Sequence, residues 1–362
     1  MSRAFDTIIR QKILESLRTI ISEDSWRIIQ KLLTNTTIKV KIANKYSTPF
    51  KTNIGAPQGD ALSPVLFTVY LELALQEIRA ACERSVIDKT IPNEICYADD
   101  TDFITKSDKT LEEIQTKAPA ILKKWNLEMN SAKTEITTLK REPKVEQEKW
   151  RKTKKLGTML GDNEEIKRRK QLAAFALNKM KSIWKIDNKI GEQRRLQLYK
   201  AYIHPILTYN MGTWSPNQNE LEQLEVFHRR QLRSILAIYY PNIISNEDLY
   251  KKCKTTTLEN EMRVARWQLL GHVLRMTNKT PAKNAMLQYF NESDSNGFRG
   301  QPKTTLPILI EKDIQKLQKE KENNTHQIPN QLTSIEDLKL LEKTAKQRKK
   351  WLKIIVDMQT LA

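Results

Sequence analysis

Residues Glu94 to Ile104 read EICYADDTDFI. Residues 94–98 and 101–106 are β-prone, and Asp99-Asp100 falls between them. The pattern predicts a β-hairpin that presents carboxylates at a sheet edge. An Asp at a tight turn commonly caps its own backbone, so a plain turn is the first alternative. Here Asp99 sits between Tyr97 and Phe103 in an apolar segment, where burying a charge is costly unless something pairs with it. Clustered carboxylates suit a hard cation such as Mg²⁺, which takes oxygen ligands and keeps several waters. Phosphoryl transfer commonly uses two such ions about 3.5–4 Å apart. Asp102 reads as a hairpin residue facing elsewhere.

Upstream, residues 55–64 read GAPQGDALSP, a Gly/Pro loop that opens a strongly apolar helix over 65–84. A Gly-bounded loop before a helix lets backbone N–H groups and the Gln58 amide approach a nucleotide or template strand closely. A turn and helix start would explain the same residues. Around these two stretches, helical spacing covers 7–33 and 109–126, and TIKVKIA at 37–43 alternates like a half-buried strand. A loop with strand character runs from 127 to 160. Helices dominate beyond 163: 163–187, 191–203, 219–238, 246–252, 258–276, 306–323 and 333–360. The organisation is an α/β unit up to about residue 160, then a basic, all-helical unit.

The chain has 362 residues and a formal net charge of +19, with 62 Lys and Arg against 43 Asp and Glu. Such a balance attracts a polyanion, nucleic acid first among them, although a Lys-rich coding bias gives the same number. Cys82, Cys96 and Cys253 are far apart, which argues against a zinc site or disulfide framework. His204, His228, His272 and His326 are scattered and read as structural or solvated. No apolar run reaches membrane-spanning length, and the first residues lack a signal-peptide core. A nuclear or cytoplasmic, non-secreted protein is expected. Basic clusters at 149–155, 167–170, 228–233 and 346–350 are candidate phosphate contacts, with 149–170 favoured. Trp184 and Trp214 read as core.

GAPQGDALSPVLF followed by CYADD, in this order and spacing, resembles two core motifs of reverse transcriptases, in the flavour of non-long-terminal-repeat (LINE-type) retrotransposons. NLEMNSAKTEI at 126–136 resembles the next motif, Lys155-Leu156-Gly157 the primer-grip turn, and the helices from 163 to 214 the thumb. GHVLRM at 271–276 and RGQPK at 299–303 resemble the C-terminal region of some such elements. Gln301 and Leu306 stand where Arg and Trp would be expected, which puts the role of that basic loop in doubt.

The resemblance implies an α+β palm subdomain, an antiparallel sheet with packed helices, over 1–160. An all-α thumb over 161–255 and a basic helical C-terminal region over 256–362 would follow. It implies RNA-templated DNA synthesis from an RNA template, a DNA primer and deoxynucleoside triphosphates, with Mg²⁺ in a two-metal site. Asp99 and Asp100 would be the catalytic metal ligands and Lys133 would lie near the leaving pyrophosphate. Phe5 would screen the nucleotide sugar, Gln58 and Gly59 would contact nucleotide or template, and Tyr97 would flank the primer end. MSRAFDTI resembles the first palm motif, whose metal-binding Asp would fall one position before Met1. Asp6 is that motif's second Asp and is not promoted to ligand. The expectation is therefore a polymerase without its fingers and first catalytic Asp, impaired or inactive in this polypeptide. The alternatives are a non-catalytic nucleic-acid-binding remnant and an unrelated basic helical scaffold.

Overall fold

After a short helix α1 (Ala4–Thr7), the helical spacing over 7–33 resolves into two helices, α2 (Arg10–Leu17) and α3 (Glu23–Leu33). Ile9 is extended and pairs with Ile54, which ends α1, and the Ser22 hydroxyl caps α3 by accepting from the Ser25 N–H. A computed structural model of the chain describes residues 4–57, 59–82, 92–139, 149–184, 190–291, 305–320 and 328–360. These fall into two compact units, residues 1–136 and 137–362.

In the first unit, α3 is followed by β1 (Thr36–Ile38), β2 (Lys41–Ile42), β3 (Lys45–Tyr46) and β4 (Phe50–Thr52). Next come α4 (Ser63–Ala81), β5 (Glu94–Tyr97), β6 (Asp100–Phe103) and α5 (Asp108–Lys124). The described strands pair only two at a time, each pair antiparallel: β1 with β4, β2 with β3, β5 with β6. The core is helical. Leu66, Phe67, Tyr70, Leu71, Ala74 and Ile78 form the buried face of α4, and Ile114, Ala118, Ile121 and Leu122 that of α5, the spacing of a single helix stripe. Residues 37–43, expected to be half-buried, are exposed. Their alternating pattern makes two short strands, and among the described residues no helix or third strand covers either face.

The second unit opens with β7 (Lys154–Lys155) and β8 (Thr158–Met159), an antiparallel pair, then α6 (Asp162–Lys179), α7 (Lys181–Trp184), α8 (Glu192–Tyr202), α9 (His204–Leu207), α10 (Gln218–Ile235), α11 (Asn246–Cys253) and α12 (Leu258–Arg275). It closes with α13 (Pro281–Asn291), α14 (Leu306–Glu320), α15 (Ile335–Lys346) and α16 (Arg348–Thr360). One core gathers around Tyr199, Ile203, Leu232 and Trp214, and a second around Trp267, Ile314, Leu341 and Trp351. Helix α12 contributes Leu258 and Met262 to the first and Trp267, Leu270 and Leu274 to the second. Trp184 and Trp214 are buried, in line with their reading as core. No helix of the described residues is long and apolar enough to cross a membrane.

Candidate active site

The Asp hairpin forms, with its turn one residue earlier than the expected Asp99-Asp100. Tyr97 pairs with Asp100, Cys96 with Thr101, Ile95 with Asp102 and Glu94 with Phe103, which leaves Ala98 and Asp99 as a two-residue turn. Ala98 adopts φ of 52°, the sign that tight hairpin turns demand of their first central residue. Asp99 is half-buried, whereas Asp100 and Tyr97 are exposed. Directly paired residues share a face, so Ile95, Tyr97, Asp100 and Asp102 line one side of the hairpin. Asp102 therefore faces the same way as Asp100, contrary to the expectation that it points elsewhere. The start of β6 at Asp100 sets its direction, since residues two apart on a strand share a face.

The opposite face holds the hairpin to the unit. Phe103 packs against the helical core. Glu94 accepts from Arg79 of α4 at 3.2 Å, and Arg79 also donates to Glu72 at 2.7 Å. The ion pairs with Glu72 and Glu94 hold the Arg79 guanidinium above its ordinary pKa, the Glu72 hydrogen bond contributing most.

Residues 5–8 dock onto the GAPQG loop through the main chain. The Ala56 N–H donates to the Phe5 carbonyl and the Gly55 N–H to the Ile8 carbonyl, both at 2.8 Å. Gly55 has φ of 79°, and a Cβ there would stand 2.8 Å from the Asp6 carbonyl oxygen. Glycine thus permits both the turn and the close approach. The Phe5 ring stacks on Phe67 with centroids 4.5 Å apart, so part of its surface serves the core. Asn126, in a left-handed conformation just beyond α5, donates through Nδ2 to the Thr7 carbonyl at 2.6 Å. Three sequence motifs, at 4–8, 55–56 and 126, are thereby joined within one unit.

Gly59 follows in the turn before α4, with φ of 90° and open space where a Cβ would lie. Ser63 seals that turn by donating to the Pro57 carbonyl at 2.7 Å. Gln58 lies outside the described residues. Lys133 is exposed at the end of a single 3₁₀ turn, Ser131–Lys133. Among the described residues, no group of three or more His, Cys, Asp or Glu side chains gathers at metal-binding distance.

Two positioning residues escaped the sequence reading. Arg10 is buried and donates to Gly55 O at 2.7 Å, Leu33 O at 3.0 Å, Thr36 Oγ1 at 2.6 Å and Thr52 O at 2.9 Å. Tyr70 is fully buried; its hydroxyl donates to the Trp125 carbonyl and accepts from the Ile9 N–H at 3.3 Å. Burial pushes the Tyr70 phenol above its ordinary pKa. The one available signal was a polar group inside an apolar helical stripe.

In the second unit, Leu156 and Gly157 have φ of 46° and 79°, the two positive values of a type I′ hairpin turn. Tyr209 donates to Leu156 O at 2.9 Å, and Arg168 and Arg169 both donate to Gly157 O. Glu165, buried, pairs with both arginines and accepts from the Met159 N–H at 2.8 Å. The basic run at 167–170 is therefore partly structural. Arg168 and Arg169 hold the turn, and Lys167 is exposed.

Residues 1–167 match the family described as "Reverse transcriptase (RNA-dependent DNA polymerase)". A "Probable RNA-directed DNA polymerase from transposon BS" of Drosophila melanogaster is 24% identical over 136 residues, 37% of this chain and 15% of that protein. The chain spans about 15% of the length of this curated relative. Over residues 1–167, the segment that holds the Asp hairpin, the GAPQG loop and the Leu156-Gly157 turn, the chain is similar to reverse transcriptases.

Proposed function

We propose that this chain handles a primed nucleic-acid template as part of a LINE-type reverse transcriptase, with RNA-templated DNA synthesis as the family reaction. The supporting observation is that residues 5–8 and the GAPQG loop are hydrogen-bonded together in the unit that carries the Asp99-Asp100 hairpin. In this reading residues 1–160 are palm, 161–255 thumb and 256–362 a basic accessory region. Work at chromosomal DNA would require nuclear access.

Asp99, in the turn, and Asp100, the first residue of β6, are consecutive oxygen donors, and Mg²⁺ is commonly held by one or two carboxylates with water completing its shell. The residues present fit one such ion, whose chemistry there is neutralisation of developing phosphate charge. The chain's own groups would do the positioning. Tyr97 flanks the primer end, the Gly59 backbone approaches the template, Phe5 bounds the sugar, and Lys133 meets the departing pyrophosphate.

No third carboxylate joins Asp99 and Asp100 among the described residues. Loss of one preorganised electrostatic group commonly costs about 10²–10³ in rate. The 362-residue polypeptide by itself is thus expected to bind a primed template and to extend it little or not at all. The same observation favours a second reading, a nucleic-acid-binding remnant without catalysis. Primer extension on a primed RNA template with Mg²⁺, set beside Asp99→Ala, decides between them. Extension clearly above that control removes the second reading, and absence of any template binding removes both.

A further inference from the structure

Residues 36–52 form a ribbon with no core of its own. Each residue from 37 to 51 is exposed, including Ile38, Val40, Ile42, Tyr46 and Phe50. Thr36 pairs with Thr52, Ile38 with Phe50, Lys41 with Tyr46 and Ile42 with Lys45. The Ser47 N–H donates to Val40 O at 2.9 Å and joins the two short pairings into one hairpin. At about 3.3 Å per residue, its strands reach roughly 25 Å from the base. A lone two-stranded hairpin is marginally stable in water, yet this one is built on a fixed root. Arg10 holds Thr36 Oγ1, Thr52 O and Gly55 O at once, so the arm's base is bolted to the GAPQG loop.

Its chemistry is one-sided. From Ser25 to Gly59 the chain has no carboxylate, while the arm carries Lys39, Lys41, Lys45 and Lys51. Side chains alternate along a strand, which sets Ile38, Val40 and Ile42 on one side and Thr37, Lys39 and Lys41 on the other. The pairings at the base and at the tip differ in register by one residue, an extra residue between Tyr46 and Phe50, so that Lys51, opposite Thr37, and Tyr46, opposite Lys41, both join the basic side. The Lys41 ammonium stands 5.5 Å from the Tyr46 ring centroid. An exposed aromatic face beside a row of lysines, uninterrupted by negative charge, matches a strand whose bases are unpaired and whose phosphates run alongside.

We infer that the 36–52 ribbon is an arm that binds single-stranded nucleic acid, with Lys39, Lys41 and Lys51 on phosphates and Tyr46 stacked on a base. The inference rests on the template-handling reading above and extends it beyond the family motifs to this chain's own hairpin. The test is fluorescence anisotropy of a labelled, unstructured 20-nucleotide RNA with the full 362-residue chain, titrated across KCl concentrations. The variants are Lys39→Gln/Lys41→Gln/Lys51→Gln and, separately, Tyr46→Ala. All four side chains are exposed, and circular dichroism melts check that both variants fold.

Single strands lose about 0.7 in log–log salt slope per phosphate contact, so the triple variant should flatten the slope by roughly 2 and bind more weakly. Tyr46→Ala should weaken binding about tenfold with the slope unchanged. Wild-type binding with an unaltered slope in the triple variant overturns the arm and leaves the template-handling reading standing. A loss confined to duplex RNA overturns it as well, since the occupant would be paired. If the wild type binds no RNA at any salt concentration, both readings fall together.

Discussion

Arg10 and Gly55 are joined by a hydrogen bond of 2.7 Å from the guanidinium Nε to the peptide carbonyl, across 45 residues of sequence. The same guanidinium reaches Leu33, Thr36 and Thr52. One buried side chain thus sets the end of α3, the root of the exposed ribbon and the turn of the GAPQG loop against each other. Replacing Arg10 by Ala strands several buried carbonyls and should cost about 3 kcal/mol, read as a lower urea midpoint. Arg10→Lys should recover little of it, because a point-like ammonium cannot span the fork of acceptors.

Gly55→Ala tests the approach of residues 5–8 to the loop. The methyl would meet the Asp6 carbonyl at 2.8 Å in a backbone conformation that L-residues rarely adopt. Strain and overpacking together should destabilise the chain by about 2–4 kcal/mol. Thermal melts would show it, and a neutral Gly55→Ala would mean that the two segments are not held this closely.

Asp313 sits in the C-terminal core. It accepts from Arg263 at 3.2 Å, Arg266 at 2.7 Å and Trp267 Nε1 at 3.0 Å. All four side chains are buried. Asp313→Ala would remove the carboxylate that Arg266 pairs with and leave Arg263 with Glu259, and breaking a buried pair in this way commonly costs about 3–5 kcal/mol. Chemical denaturation should show a lower midpoint, since the loss is one of packing and charge compensation.

His228 gives the second unit a pH dependence. The ring is buried among Tyr199, His204 and Tyr250, with Arg229 beside it and Glu261 bonded to His204 at 2.7 Å. Burial first, then the neighbouring His204, pulls its pKa down to about 3. Because the folded-state value lies below the unfolded one, the stability is complete above the unfolded pKa, near 6.5, and is lost as pH falls toward 3. The slope should approach about 1.4 kcal/mol per pH unit below 6. Urea unfolding at pH 7 and pH 5 should differ by about 2 kcal/mol, and His228→Gln should shrink that difference.

Much of the candidate site was legible because it is local. Two β-prone segments with a polar break between them mark a hairpin, though its turn falls at Ala98-Asp99 and not at Asp99-Asp100, and Gly and Pro at 55–64 mark a loop before an apolar helix whatever surrounds them. The direction of Asp102 turns on where its strand begins: Asp100 opens β6, and Asp102, two residues on, shares its face. The division of the 167–170 run was not legible, where Arg168 and Arg169 turn inward to Gly157 and Glu165 while Lys167 is exposed.

By itself the sequence determined the helices, through stripes such as that of α4, whereas the hairpin turns set Ala98 and Leu156 at positive φ, which residues with a Cβ rarely adopt. The sequence also determined the order of the motifs that resemble a polymerase. Only the tertiary structure decided that the strand pattern at 37–43 is an uncovered basic arm and that Arg10 anchors it beside the GAPQG loop. Backbone propensity acts over a few residues and can be read along the chain. Burial and hydrogen-bond partners depend on segments dozens of residues apart, such as Arg10 and Gly55, and exist only once those segments have packed.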